Sequence, residues 1–169
     1  MGELSDYLES DHRRLDALWA RAVRDPAGID EEAYAAFREG LLRHIGIEEK
    51  ILMPDARARG GEDEALFRRI RIEHSAIALL LVPTPTHELM HEIRGILEQH
   101  NPREEGPEGL YGICERLAGD ETAMLLERAR NAPEVPVAKH YDGPRAHRTA
   151  ESALRYAEMA EARAREKRT

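Results

Sequence analysis

Apolar positions recur along the first two thirds of the chain at steps of three and four, the period of an amphipathic helix. Leu4, Leu8, Leu15 and Trp19 form one stripe, and Phe37, Leu41 and Ile51 a second. Phe67, Ile70, Ile77 and Leu81 make a third, and Leu89, Ile93, Ile96 and Leu97 a fourth. Turn-forming residues separate the stripes. The pattern predicts helix A from about Glu3 to Arg24, ending before "DPAG", and helix B from Asp30, a capping residue followed by acids, to Met53 ahead of Pro54. Gly60 and Gly61 divide it from helix C, Glu62 to Val82, which ends at "PTPT". Helix D starts near Thr86 and runs past His100, with Pro102 a candidate kink. A short helix over Leu110–Leu117 follows, then "ETAMLLERARNA", which Asp120 would cap. No strand-like alternation and no internal repeat occurs. The expected fold is therefore all-α: an antiparallel up-down four-helix bundle with additional C-terminal helices.

From about Pro133 the character changes. "PEVPVAKHYDGP" reads as a linker, and "RAHRTAESALRYAEMAEARAREKRT" as an Ala- and Arg-rich helix with a thin apolar stripe. The expected division is a bundle with short extra helices over 1–132 and a helical appendage over 133–169. That appendage would pack on the bundle, on a partner, or on a second copy.

The histidines decide what the bundle is for. "THELMHEIRGILEQHNPREE" contains H-E-x-x-H, a zinc-protease pattern, at His87 to His91. Each helical residue turns about 100°, so His100 lies about 20° from Leu89 on the apolar face, while His87 and His91 lie about 200° away. The protease motif is thus expected to face solvent and His100 the core. The other helices repeat the arrangement. His12 continues the stripe of helix A, His44 that of helix B and His74 that of helix C. Glu48 follows His44 by one turn, and Glu104 follows His100 by one turn.

A hydrogen-bonded core histidine is the simpler reading for any one of these alone. H-x-x-x-E is also a weak pattern in a chain with 33 acidic residues, and His147/Glu151 in the tail is an incidental instance. Asp16, one turn after His12, is either a support for it or a surface residue. Four histidines on four stripes, two with carboxylates beside them, are a different matter. An ionised Glu in a bundle core costs several kcal/mol unless paired, and no Lys or Arg lies on those stripes. A metal ion supplies the missing charge. Four imidazoles and two carboxylates are too many for one tetrahedral zinc. They suit two octahedral first-row ions with two His each, Glu48 and Glu104 bridging. This donor set points to iron, with manganese or zinc as alternatives.

Composition narrows the setting. A formal net charge of -8 argues against a nucleic-acid partner. The single cysteine, Cys114, permits no internal disulfide and fits a reducing compartment. No apolar leader and no run of about 18 apolar residues is seen, so a cytoplasmic protein without membrane contact is expected. Cys114 itself reads as a helix-core residue, and Tyr7 and Tyr111 lie off the stripes, so no role is assigned to them.

"DHRRLDALW", "HIGIEEKILMP", "IEHSAI" and "LEQHNPREE" resemble the hemerythrin-like family, the HHE cation-binding domain, over about residues 5–112. The shared feature is ligand order: His; His-x-x-x-Glu; His; His-x-x-x-Glu. The resemblance implies that His12, His44, Glu48, His74, His100 and Glu104 are ligands to two iron ions. One ion would take the histidines of helices A and B and the other those of C and D, with an oxo or hydroxo bridge when oxidised. Oxygen-carrying members have a further His one turn after the helix C ligand, where this chain has Ala78, and an Asp five residues after the helix D His, where it has Glu104 at four. Ala78 would leave a coordination position open. The ligand set is similar to that of di-iron iron-centre repair proteins, whose extra N-terminal cysteine domain is not expected here. The resulting expectation is a non-haem di-iron protein that binds or reacts with O2, peroxide or NO. The alternatives are a di-iron peroxide or NO reductase or ferroxidase, and an iron donor for cluster repair.

Overall fold

The computed structural model describes residues 2–61 and 63–167. Among these, the chain forms helices α1 (Glu3–Ala22), α2 (Glu31–Ile47), α3 (Met53–Ala58), α4 (Glu64–Leu80), α5 (His87–Glu104), α6 (Leu110–Ala118), α7 (Thr122–Arg130) and α8 (Ala150–Glu166), and no strand. The expected start of helix C at Glu62 lies outside the described residues, as do Met1, Arg168 and Thr169. Side chains cap four helices: Asp30 accepts from the Ala33 amide, Asp63 from Leu66, Thr86 from Leu89 and Thr149 from Ser152. Each satisfies an amide that the helix itself leaves unpaired. Asp120 does not cap α7. It lies in a 3-10 turn over Gly119–Glu121, where the Thr122 hydroxyl donates to the Gly119 carbonyl.

Helix B does not stop at Pro54. A π turn over Glu48–Leu52 joins α2 to α3, with the Met53 amide donating to the Glu48 carbonyl five residues back. Pro54 then falls in the first turn of α3, where a missing N–H costs little. The extra residue also advances the helical face by one position. Leu52 is fully buried where the simple period had placed Ile51, which is only partly covered.

Two apolar clusters fill the interior. One holds Leu15, Phe37, Leu41, Ile77, Leu80, Leu89, Ile93 and Leu97; the other holds Leu4, Leu8, Ile47, Leu52, Phe67, Ile70, Leu110 and Tyr111. Going along α1, the chain passes from the second cluster (Leu8) through His12 to the first (Leu15). Along α2 the order reverses, from Leu41 through His44 to Ile47. Along α4 it runs from Ile70 through His74 to Ile77, and in α5 Leu97 of the first cluster precedes His100, with Leu110 of the second cluster following in α6. The helices therefore alternate in direction, and a layer of buried His and Glu divides the core of this up-down bundle.

The later elements cover the bundle. α6 and α7 pack on α1 and the α2–α3 junction. The segment after α7 runs back along α2: Arg43 donates to the carbonyls of Ala132 and Arg130, and Arg38 to that of Ala138. The Tyr141 amide then reaches the Val82 carbonyl at the end of α4. α8 lies along α4 and touches α5, with Ala153 and Ala157 buried at the contact. Among the described residues no helix is long and apolar enough to cross a membrane.

Phe67 is fully buried in the second cluster. Phe67→Ala is expected to lower unfolding free energy by about 3–5 kcal/mol, read as a lower urea midpoint at unchanged slope.

Candidate metal centre

His12, His44, His74 and His100 enter the dividing layer one from each helix of the bundle, and all four are buried. Glu48 and Glu104 lie between them with no exposed surface. Glu48 sits at the head of the π turn, and Glu104 is the last residue of α5, which continues through Pro102 to reach it.

Two groups could each hold a cation: His12, His44, Glu48 and Glu104, and Glu48, His74, His100 and Glu104. Both carboxylates belong to both groups. Glu48 Oε1 is 3.1 Å from His44 Nε2, while its Oε2 is 3.1 Å from His74 Nε2. Glu104 Oε2 is 3.3 Å from His12 Nε2, while its Oε1 is 3.2 Å from His74 Nε2 and 2.8 Å from His100 Nε2.

The far nitrogen of every imidazole is held by another carboxylate. Nδ1 of His12 lies 2.7 Å from Glu105, of His44 2.8 Å from Asp11, of His74 2.9 Å from Glu49 and of His100 2.9 Å from Glu73. A carboxylate only accepts, so each Nδ1 donates and each Nε2 of a neutral ring is left as a lone pair aimed at the centre. These supports run in a ring. Asp11 of α1 holds the histidine of α2, Glu49 of the π turn that of α4, Glu73 of α4 that of α5, and Glu105, just past α5, that of α1. Each lies next to a candidate ligand in sequence but serves the following helix. Glu73 is itself fixed by Arg69 at 2.8 Å and Arg103 at 3.2 Å, and Asp11 by Arg14 at 2.7 Å.

This arrangement fits a cation. Neutral Nε2 lone pairs would face carboxylate oxygens, acceptor against acceptor, and Glu48 Oε2 is buried with no hydrogen-bond partner. Without a metal, protons must bridge them. Burial pushes the His44 pKa down, but the charge of Glu48 and hydrogen bonds to Asp11 and Glu48 outweigh it and carry it up to about 10. His74 and His100 are raised in the same way, against burial, by Glu104 and its neighbours. Burial and the charge of Glu104 push Glu48 up, yet His44 and His74 hold it below the usual carboxylate range.

The remaining sequence expectations fall elsewhere. His91 is exposed and edges onto the Trp19 ring. His87 is not fully in solvent: it is half-buried with Nε2 unpartnered, because Val137 and His140 of the returning segment share its cleft. That cleft, of ≈ 690 Å³, contains none of the six candidate residues. Asp16 pairs with Arg94 at 2.5 Å and, half-buried, lines the narrow cavity beside His12 without bonding to it. Cys114 is a core residue whose thiol burial pushes up to about 12. Tyr7 stacks beneath the Arg130 guanidinium, away from the layer.

Tyr111, to which the sequence assigns no role, does reach the layer. Fully buried at the start of α6, it projects its hydroxyl into the layer and donates to Glu48 Oε1 at 2.6 Å. The signal was a short stripe, Tyr111, Cys114 and Ala118, at steps of three and four shortly after Glu104.

A family model described as Hemerythrin HHE cation binding domain matches residues 3–119, well over half of the chain. The chain belongs to the hemerythrin HHE family. Membership of this helical-bundle family implies metal binding, with iron the usual ion. Comparison with curated proteins and with solved structures returned no match.

The ring can be tested directly. Glu73→Gln is expected to weaken metal binding about 10–100-fold by competition with a chelator, while His87→Ala with His91→Ala leaves it unchanged. Loss of metal from the double variant alone would overturn the facial assignment. The metal-free protein should also respond to pH through His44. Its folded value of about 10 exceeds the ordinary 6.5, so its stabilisation is complete below 6.5 and is lost as pH rises to 10. Urea midpoints of metal-free protein should fall across that window, and loading with zinc, which takes the Nε2 lone pair in place of a proton, should flatten the fall.

Proposed function

We propose that this is a cytoplasmic non-haem di-iron protein that binds or reacts with O2, nitric oxide or peroxide at a site bridged by two carboxylates. Its ligands are His12, His44, His74, His100, Glu48 and Glu104. The observation that carries this reading is the convergence of four Nε2 lone pairs on two buried carboxylates, each of which spans both histidine pairs. When bound, a ferrous pair supplies electrons and coordination positions for a small oxidant or diatomic molecule.

The chain's own residues set the limits of that chemistry. The carboxylate ring accepts from each Nδ1, which turns Nε2 toward the layer and fixes the orientation of the four imidazoles. Ala78, one turn after His74, offers no donor atom and so leaves the His74/His100 side with a vacancy for an external molecule. A narrow cavity of ≈ 10 Å³ reaches the layer between α1, α2 and α5, lined by His12, His44, His100, Leu15, Leu41 and Leu97. It has room for about one water-sized molecule, which favours a small ligand such as a diatomic. Cys114, buried and the chain's single thiol, suits a reducing compartment.

Protein purified without oxygen is expected to carry about two irons per chain, one for each histidine pair. Air oxidation should then produce an oxo-bridged charge-transfer spectrum. A spectral change reversed on removing O2 or NO marks binding. Sustained consumption of peroxide or NO marks an enzyme, and transfer of iron to an apo-cluster acceptor marks donation. One zinc or no metal per chain would refute the di-iron reading.

A further inference from the structure

The two halves of the layer are not equivalent. The His74/His100 half consists of two imidazole nitrogens and one oxygen from each shared carboxylate. The His12/His44 half has the same four donors and, in addition, the Tyr111 hydroxyl. That oxygen lies 2.6 Å from Glu48 Oε1, 3.0 Å from His44 Nε2, 3.1 Å from His12 Nε2 and 3.3 Å from Glu104 Oε2. It thus has four close neighbours, and all four are the candidate ligands of one ion.

These distances have a simple geometric meaning. In an octahedral shell with bonds of about 2.1 Å, adjacent donors are about 3.0 Å apart, and each donor is adjacent to four others. Two further edges of the same half fit: His44 Nε2 to Glu48 Oε1 at 3.1 Å, and His12 Nε2 to Glu104 Oε2 at 3.3 Å. The Tyr111 oxygen thus has the four near neighbours that a vertex of such a shell has.

We infer that Tyr111 is a seventh protein ligand, bound through its phenol oxygen to the ion of the His12/His44 half alone. This rests on the di-iron reading above. On metal binding the oxygen gives a lone pair to the cation, and the hydroxyl proton, now shared with Glu48, leaves to solvent. The ion of this half then has five protein donors and the other has four. The His74/His100 ion therefore has one protein donor fewer.

The consequence is a chemically asymmetric pair. In the fold, α6 brings Tyr111 from the cluster containing Leu8 and Leu52, while the narrow cavity, which touches His12, His44 and His100, opens among Leu15, Leu41 and Leu97 on the opposite side of the layer. Tyrosine closes one side and leaves access at the other.

The test uses full-length wild type, Tyr111→Phe and, as a control, Tyr7→Phe, each loaded with ferrous iron without oxygen and then oxidised. Iron per chain, visible absorption and resonance Raman spectra are recorded. Wild type and Tyr7→Phe should show a phenolate-to-ferric absorption band and enhanced phenolate ring modes, and Tyr111→Phe should lack both. Two irons in wild type without phenolate modes would overturn this inference alone and leave Tyr111 as a hydrogen-bond donor to Glu48. Phenolate modes that persist in iron-loaded Tyr111→Phe would also overturn it. If Tyr111→Phe fails to fold, the wild-type Raman spectrum still decides. No iron in any of the three would refute the di-iron reading and this inference with it.

Discussion

Two carboxylates, Glu48 and Glu104, are shut inside an apolar bundle with four imidazoles around them, and the rest of the architecture answers to that burial. An ion in such surroundings costs several kcal/mol unless opposite charge is close and the remaining lone pairs are satisfied. The guanidinium groups nearby do not supply that charge. Arg69 and Arg103 neutralise Glu73 on the outside of the layer and do not reach the centre. A cation held between the Nε2 atoms would supply that charge and would join the four helices through one centre. The π turn and the unbroken run of α5 through Pro102 are local compromises that bring Glu48 and Glu104 to that layer.

The helical period showed which histidines share a face with Leu, Ile and Phe, because burial and helix geometry are local properties. His12, His44, His74 and His100 were legible for that reason, as was the decoy status of His91. The supporting carboxylates were not. Asp11, Glu49, Glu73 and Glu105 each neighbour a candidate ligand in sequence, yet each reaches across to a different helix, so their partners depend on which helices are adjacent and in which direction. Ile51 was misplaced because one residue inserted as a π turn shifts every later position. Tyr111 was hidden for another reason. It enters from a short helix after the bundle, and no period measured within the four main helices extends to it.

The layer also organises the core around it. α1, α2 and α4 each contribute apolar residues on both sides of their histidine, and α5 on one side only, so the two clusters meet the polar layer from opposite sides. The elements after α5 are unequal in their relation to it. α6 sends a side chain into the layer, whereas α8 contributes small residues, Ala153 and Ala157, that let it lie close against α4. The C-terminal helix thus covers the scaffold, and α6 contributes to the chemistry.

The ring of carboxylates has a thermodynamic consequence. Each helix orients the histidine of the next and has its own oriented by the one before, so no pair of helices can assemble half of the centre by itself. The shared carboxylates add a second link, since the first ion to arrive fixes Glu48 and Glu104 for both. Ordering of Glu48 and Glu104 that a first ion would bring about would not have to be repeated for a second, so the shared carboxylates couple the two halves of the layer.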